Sequence, residues 1–185
     1  MGQKAGRTVA IGIQDFGDLI RKGYFYIDKT DFIQEWWESG DSVTLISRPR
    51  RFGKTLNMSM VEHFFSVDYA KEENLFEGLS IWGNEAYRQI RGTYPVISLS
   101  FAGVKEREYR TARKKICQLL ANLYVRYSFL TESGALTETD RAYFDRVLAV
   151  DMDDSDASLA LYQLSNFLCR YYGKKAIILL DEYDT

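Results

Sequence analysis

The sequence of 185 residues contains few cysteines, only Cys117 and Cys169. Two thiols are too few for a disulfide framework, and both lie among apolar residues with helical spacing, so we expect buried, reduced thiols. The sequence also lacks an apolar run of about 20 residues, which a transmembrane helix requires. Its first residues lack the apolar stretch of a signal peptide. These absences predict a cytoplasmic protein with no membrane contact.

Charge of one sign is also lacking, because 24 basic and 26 acidic side chains nearly cancel. No large field of one sign is therefore available to attract nucleic acid to the whole surface. The hydrophobic content of 46 % is typical of a globular protein. At roughly 150 residues per domain, the length predicts one domain, or one domain with a fragment of another.

Short strand patterns alternate with helical patterns along the chain. The last strand pattern is apolar on both faces, as in a parallel strand buried between helices. Helical spacing of apolar residues, with glycine after several segments, predicts the intervening helices. This alternation predicts an α/β three-layer sandwich. The predicted strands are 24–27, 42–47, 95–101 and 175–180, and the predicted helices are 15–22, 30–38, 54–65, 105–129, 138–150 and 158–172.

A basic loop ending in Gly53-Lys54-Thr55 lies between a predicted strand and a predicted helix. This order is typical of a Walker A phosphate loop, in which backbone N–H groups face the phosphates of a nucleotide. The lysine supplies a positive charge to the phosphates, and the threonine hydroxyl ligates Mg²⁺. The first glycine of the general pattern is absent, because Arg48 occupies that position. A basic surface turn before a helix is the alternative.

The apolar strand pattern at 175–180 ends in Asp181-Glu182. Ligands of α/β sheets bind at the carboxyl ends of the strands, where Asp181 is predicted to lie and to hold Mg²⁺. Glu182 would then polarise a water molecule for attack on the γ-phosphorus. Together with the Lys54 loop, this Walker B pattern predicts a nucleotide site.

Several other residues leave alternatives open. Asp28-Lys-Thr30 either caps the following helix or contacts nucleotide. His63 is predicted to pack or lie on a helix surface, and the acidic segment 151–156 to cap a helix and not to hold a metal. The basic run 110–115, together with the loop arginines, offers direct nucleic-acid binding as a weaker alternative, which the balanced net charge disfavours.

With these residues in place, the sequence resembles the AAA-ATPase-like family of bacterial and archaeal proteins. In that family a P-loop domain often precedes a PD-(D/E)XK nuclease-like domain. The loop sequence with arginine in place of the first glycine is typical of the family. The matching segments are 11–16, 26–30, 48–55 and 180–185.

The resemblance implies a P-loop NTPase fold of the extra-strand class that uses ATP and Mg²⁺. Residues 1–40 would be an N-terminal extension, and 41–185 the P-loop core up to Walker B. Lys54 and Glu182 would be catalytic, while Thr55 and Asp181 would hold the metal. The residues expected to contact the nucleotide are Arg48, Arg50, Arg51, Phe52, Gly53, Lys54 and Thr55.

The resemblance also implies a sensor strand after Walker B, inserted between the strands at 42–47 and 175–180. Nothing follows Thr185 in this sequence, so we expect an incomplete sheet, closed by direct pairing or by another chain. An ATPase that drives an attached effector, with weak turnover in this segment, is the expectation. Nucleic acid would be bound through a further C-terminal domain. Whether the protein forms a homo-oligomer is left open. The alternative is a module that binds nucleotide without turnover.

Overall fold

The computed structural model describes residues 8–9, 11–47, 52–72 and 74–182. The chain folds into two compact units, residues 1–93 and residues 94–185. Each unit is built around its own buried side chains. The boundary predicted at residues 40 and 41 stays a prediction.

The first unit is helical in its described residues. Asp15 begins the first helix by accepting the N–H of Asp18 at 2.6 Å, and Gly40 ends the second in a left-handed conformation. Two short 3-10 helices connect the third and fourth helices. The elements are α1 (Phe16–Arg21), α2 (Asp31–Ser39), α3 (Lys54–Phe65), the 3-10 helices Val67–Tyr69 and Ser80–Gly83, and α4 (Glu85–Ile90).

Aromatic rings form the core of the first unit. Phe76 is fully buried and stacks on Phe16 of α1 with ring centroids 5.0 Å apart. The same ring meets Phe64 of α3 edge-on at 5.0 Å. The next residue of α3, Phe65, stacks on Trp37 of α2 with ring centroids 4.9 Å apart. Rings from three helices and one loop thereby fix the position of α3.

The second unit packs three helices and a two-stranded sheet. Thr137 begins the second of these helices with a capping box. Asp153 caps the third by accepting the N–H of Asp156 at 2.7 Å, so this helix begins four residues before the predicted start at 158. The elements are β1 (Val96–Ser100), α5 (Tyr109–Arg126), the 3-10 helix Ser128–Thr131, α6 (Glu138–Leu148), α7 (Asp154–Tyr172) and β2 (Ile177–Asp181).

The sheet pairs β1 with β2 in parallel, with Val96 opposite Ile177 and Ser100 opposite Asp181. Ile97 and Leu99 are buried, as the alternation of β1 predicted. The Tyr127 hydroxyl, at the end of α5, donates to the Val96 carbonyl at 2.8 Å. The carboxyl ends of both strands therefore lie at one edge of the sheet, with Asp181 at that edge.

Three strand predictions need correction. Residues 24–27 and 42–47 form no strand, although both have strand-like composition. Val43 and Leu45 are 87 % and 68 % exposed; a strand also needs a neighbour to accept its hydrogen bonds, and local sequence does not supply one. The face of β2 that carries Ile178 and Leu180 is partly exposed, where burial on both faces was expected.

The mixture of helices and parallel strands is consistent with the α/β class. The sheet contains two strands within the described residues. Both cysteines are free thiols; Cys117 is buried, as predicted, whereas Cys169 is only partly buried. Over the described part of the chain, no helix is long and apolar enough to cross a bilayer.

Candidate functional site

The loop-to-helix junction predicted for the phosphate loop is present at the start of α3. Gly53 is the N-cap residue and has φ of 76°, a left-handed conformation that glycine adopts without a steric penalty. Its carbonyl accepts the N–H of Asn57 at 2.9 Å, the first hydrogen bond of the helix. A glycine N-cap has no side-chain oxygen, so the N–H groups of the first turn require other acceptors. An anion is an acceptor that this end of a helix favours.

Lys54 and Thr55 are the first two residues of α3, and both are partly buried. Lys54 forms no ion pair with any residue that the structure describes. Its ammonium group is therefore available for an anionic ligand at the helix N-terminus. Phe52 is 60 % exposed beside it. The other three predicted contact residues, Arg48, Arg50 and Arg51, lie outside the described residues.

Asp181 and Glu182 lie at the carboxyl end of β2. The Asp181 carboxylate accepts the backbone N–H of Glu182 at 3.0 Å. Glu182 has φ of 50°, an uncommon value for a residue with a Cβ. Such a conformation costs about 1–3 kcal/mol and is concentrated at functional sites. No sequence pattern predicted this backbone strain.

The predicted site residues therefore fall into two groups. Gly53, Lys54 and Thr55 are consecutive in the first unit, and Asp181 and Glu182 are consecutive in the second. The Thr55 hydroxyl and the Asp181 carboxylate are each hard oxygen donors, the ligand type that Mg²⁺ prefers. In the described ranges, no cluster of three or more histidine, cysteine or acidic side chains could hold a metal by itself.

Asp28 and Thr30 have a structural role that joins two distant segments. One Asp28 carboxylate oxygen accepts the N–H and hydroxyl of Thr30, at 2.9 and 2.7 Å. The other oxygen accepts the N–H of Ser80 at 2.7 Å, and the Thr30 hydroxyl accepts the N–H of Ile81 at 3.1 Å. These bonds attach the start of α2 to the 3-10 helix at Ser80–Gly83. These partners lie about 50 residues away along the chain, so the local sequence does not mark them.

Asp28→Ala should lower the free energy of unfolding by about 1–3 kcal/mol at pH 7, because it leaves the N–H groups of Thr30 and Ser80 without this acceptor. Burial raises the pKa of Asp28, but the donors from Thr30 and Ser80 outweigh it and hold the pKa below its ordinary value. The carboxylate therefore stabilises the fold at a pH above about 4, and this contribution is lost as the pH falls through the folded pKa.

Urea unfolding of both proteins at pH 7 and near pH 3 measures this difference. The difference in the free energy of unfolding between wild type and Asp28→Ala should be smaller at the lower pH. Asp41→Ala, at an exposed position in the same unit, should stay within about 0.5 kcal/mol of wild type. The role of Asp28 would be contradicted if the two proteins were equally stable at pH 7, or if the difference in their free energies of unfolding did not change with pH.

His63 is a packing residue, as predicted. Its ring is 2 % exposed and stacks on Tyr69 with centroids 4.1 Å apart. Nδ1 lies 2.9 Å from the Ser59 carbonyl, which can only accept, so Nδ1 carries the proton. Nε2 lies 3.8 Å from the Asp15 carboxylate. All of these neighbours belong to the first unit, and none belongs to the loop before α3.

The acidic segment at 151–156 caps a helix, as predicted. Asp153 caps α7, and Asp156 accepts two hydrogen bonds from the Arg146 guanidinium at 2.9 and 3.0 Å. The hydrogen bonds from the Arg146 guanidinium are the main reason that the pKa of Asp156 is lowered; burial acts in the opposite direction. The segment is therefore occupied by capping and ion pairing.

Comparison with known proteins decides the family. Residues 10–185 match the AAA-ATPase-like family, described as "Predicted AAA-ATPase". The chain belongs to the AAA-ATPase-like family. The match covers almost the entire chain, including the residues at both ends of the predicted nucleotide site. The resemblance inferred from the loop sequence is thereby confirmed.

One curated relative is an "Uncharacterized protein in vnfD 5'region" from Azotobacter chroococcum mcd 1. It is 37 % identical to this chain over 116 residues, a match that covers 62 % of this chain and 21 % of the relative. The chain thus matches about a fifth of that protein's length. No solved structure is significantly similar to the chain.

Proposed function

We propose that this member of the AAA-ATPase-like family binds Mg·ATP at the start of α3 and hydrolyses it. The observation that carries the proposal is the junction itself. A left-handed glycine N-cap is followed at once by a lysine that has no ion pair in the described part of the chain. An uncapped helix N-terminus and a neighbouring ammonium group both favour a polyphosphate.

The roles follow from the chemistry of each group. Backbone N–H groups at the start of α3 and the Lys54 ammonium would bind the β- and γ-phosphates. Thr55 and Asp181 would hold Mg²⁺, which neutralises charge on the phosphate oxygens. Glu182 would accept a proton from the attacking water.

We also propose that nucleotide binding regulates a further part of the intact protein. The match to only 21 % of the curated relative supports this extension, since that relative contains much more chain than the matched region. A nuclease-like effector, nucleic acid as its partner and self-association stay proposals of the same kind.

Isothermal calorimetry with Mg·ATP tests the proposal. Lys54→Ala should weaken binding about 10- to 150-fold, because it removes a charged hydrogen bond to phosphate that is worth about 1.5–3 kcal/mol. Lys71→Ala removes an exposed lysine of the same unit and should leave the dissociation constant within about twofold of wild type.

Two results would contradict the proposed site. The first is a wild-type chain that binds no Mg·ATP at millimolar concentration. The second is equal binding by wild type and Lys54→Ala. Circular dichroism of both variants separates a lost contact from a lost fold.

A further inference from the structure

The first half of α5 carries an unusual concentration of positive charge. Residues 105–115 contain six basic and two acidic side chains, and α5 itself contains five basic residues and no acidic one. Arg110 lies in the first turn of α5, where a cation opposes the helix macrodipole, whose positive end is the N-terminus. Where such cations have no partner that offsets the unfavourable placement, they indicate a functional surface.

The structure divides these cations into two groups. Arg113 pairs with Asp154 and also donates to the Met152 carbonyl, at 2.9 Å for the latter. Lys115 pairs with Glu106 and donates to the Gly103 carbonyl at 3.2 Å. These two side chains therefore attach α5 to neighbouring loops and have a structural explanation.

The remaining cations have no such explanation. Lys105, Arg107, Arg110 and Lys114 are exposed, and none forms an ion pair with a residue in the described ranges. Arg110 and Lys114 are one turn apart, with a rise of about 6 Å between them. The exposed acid nearest to them in sequence is Glu108, the N-cap residue.

A polar stripe continues from these cations along α5. It consists of Arg110, Lys114, Gln118 and Asn122, four exposed residues spaced by four and therefore on one face over about 18 Å. Gln118 donates to Asn122 at 3.1 Å. Tyr109, the first residue of the helix, is 74 % exposed. The stripe thus combines cations and amide groups, and Tyr109 adds an exposed aromatic ring next to its N-terminal end.

We propose that the α5 polar stripe, with Lys105 and Arg107, binds the phosphodiester backbone of single-stranded nucleic acid. Cations and amide side chains are the usual contacts to phosphate and sugar oxygens. An exposed tyrosine offers a stacking surface for an unpaired base. An anionic membrane is the weaker match, because a helix that binds a membrane surface needs apolar side chains beside its cations, and the stripe has none. None of these residues belongs to the proposed nucleotide site, so this proposal does not depend on ATP binding.

Fluorescence anisotropy with a labelled oligo(dT) of about 20 nucleotides tests the proposal with the full chain. Four cations at roughly 0.7 released ions each give an expected slope of log K against log salt of about −2.8. Affinity should therefore fall about 50-fold between 50 and 200 mM salt. Arg110→Glu with Lys114→Glu should weaken binding at least about 10-fold and reduce the slope by about 1.4. Tyr109→Ala should weaken single-strand binding about 5-fold or more, with a smaller effect on a duplex of the same length.

The control is Lys71→Glu with Arg141→Glu, which makes the same change in net charge at two exposed cations outside the stripe. It should retain binding within about threefold, as expected for a contact confined to α5. The proposal is overturned if the wild-type chain shows no binding at low salt, or if both double variants lose affinity equally. Binding to vesicles of phosphatidylserine in preference to the oligonucleotide would also overturn it.

Discussion

Glu182→Gln should lower the kcat for ATP hydrolysis by the intact protein about 10²- to 10⁴-fold, the range that a general base contributes. The amide keeps the size of the side chain but cannot take a proton from water. The dissociation constant of Mg·ATP should change by less than about twofold, because the proposed role of Glu182 is in the transition state. Phosphate release and calorimetry measure the two quantities.

The positive φ of Glu182 allows a second variant to test the same role. Glu182→Gly removes the carboxylate and places glycine where φ is 50°. Glycine adopts that conformation freely, so this variant should be at least as stable as wild type and still hydrolyse ATP as slowly as Glu182→Gln. Stability and activity would then move in different directions, which a general loss of structure cannot produce.

Glu132→Gln is the matched control, since Glu132 is an exposed glutamate of the same unit. It should retain the wild-type kcat. If wild type and Glu182→Gln bind Mg·ATP equally and neither turns it over, the protein is a nucleotide-binding module without hydrolysis. A wild-type kcat in Glu182→Gln would assign the base to another residue.

Phe76→Ala should lower the free energy of unfolding by about 3–5 kcal/mol. The ring is fully buried and contacts Phe16 and Phe64, so its removal leaves a cavity between α1 and α3. A loss of this size is a large part of the stability of a typical domain. Because Phe64 belongs to α3, the proposed nucleotide affinity should fall together with the folded fraction.

Phe76→Leu keeps most of the buried volume and should cost less, about 1.5 kcal/mol, so it remains measurable if the alanine variant does not fold. Phe25→Ala removes a phenylalanine that is 49 % exposed and should stay within about 0.5 kcal/mol of wild type. Urea unfolding followed by tryptophan fluorescence provides the comparison. The proposed core would be contradicted if Phe76→Ala and Phe25→Ala lowered the free energy of unfolding equally.

Local sequence signals predicted the helices well. The Gly53-Lys54-Thr55 sequence placed the start of α3 at Lys54, where the structure has it, and Gly40 placed the end of α2 within one residue. These signals succeed because a helix satisfies most of its hydrogen bonds within one segment. Helix α7 began earlier than predicted because the Asp153 cap outweighed the apolar pattern that starts at Ser158.

Strands and side-chain networks were harder to predict because their partners are distant. Residues 42–47 have a strand pattern but no strand, whereas β1 and β2 pair across about 80 residues of chain. The Asp28 carboxylate binds the Ser80 N–H, 52 residues away. Neither partner is marked in the local sequence. The left-handed backbone of Glu182 also had no signal, because glycine or asparagine would be the residue expected there.

The identity of the candidate site residues, in contrast, followed from the sequence. The chemistry of Lys54, Thr55, Asp181 and Glu182 is carried by residue type and order, which a sequence displays directly. The conformations of Gly53 and Glu182 had to come from the structure. The structure also shows that Asp28 and Thr30 attach the start of α2 to the 3-10 helix at Ser80–Gly83.

The central claim is that nucleotide phosphates bind at the N-terminus of α3. An amide-resolved NMR titration of the ¹⁵N-labelled chain with Mg·ADP tests it most directly, because a phosphate accepted by backbone N–H groups shifts those resonances most. The largest shifts should occur at Gly53, Lys54 and Thr55, while the amides at the capped start of α7 should stay in place. The absence of shifts at the start of α3, or larger shifts elsewhere at saturation, would contradict the claim.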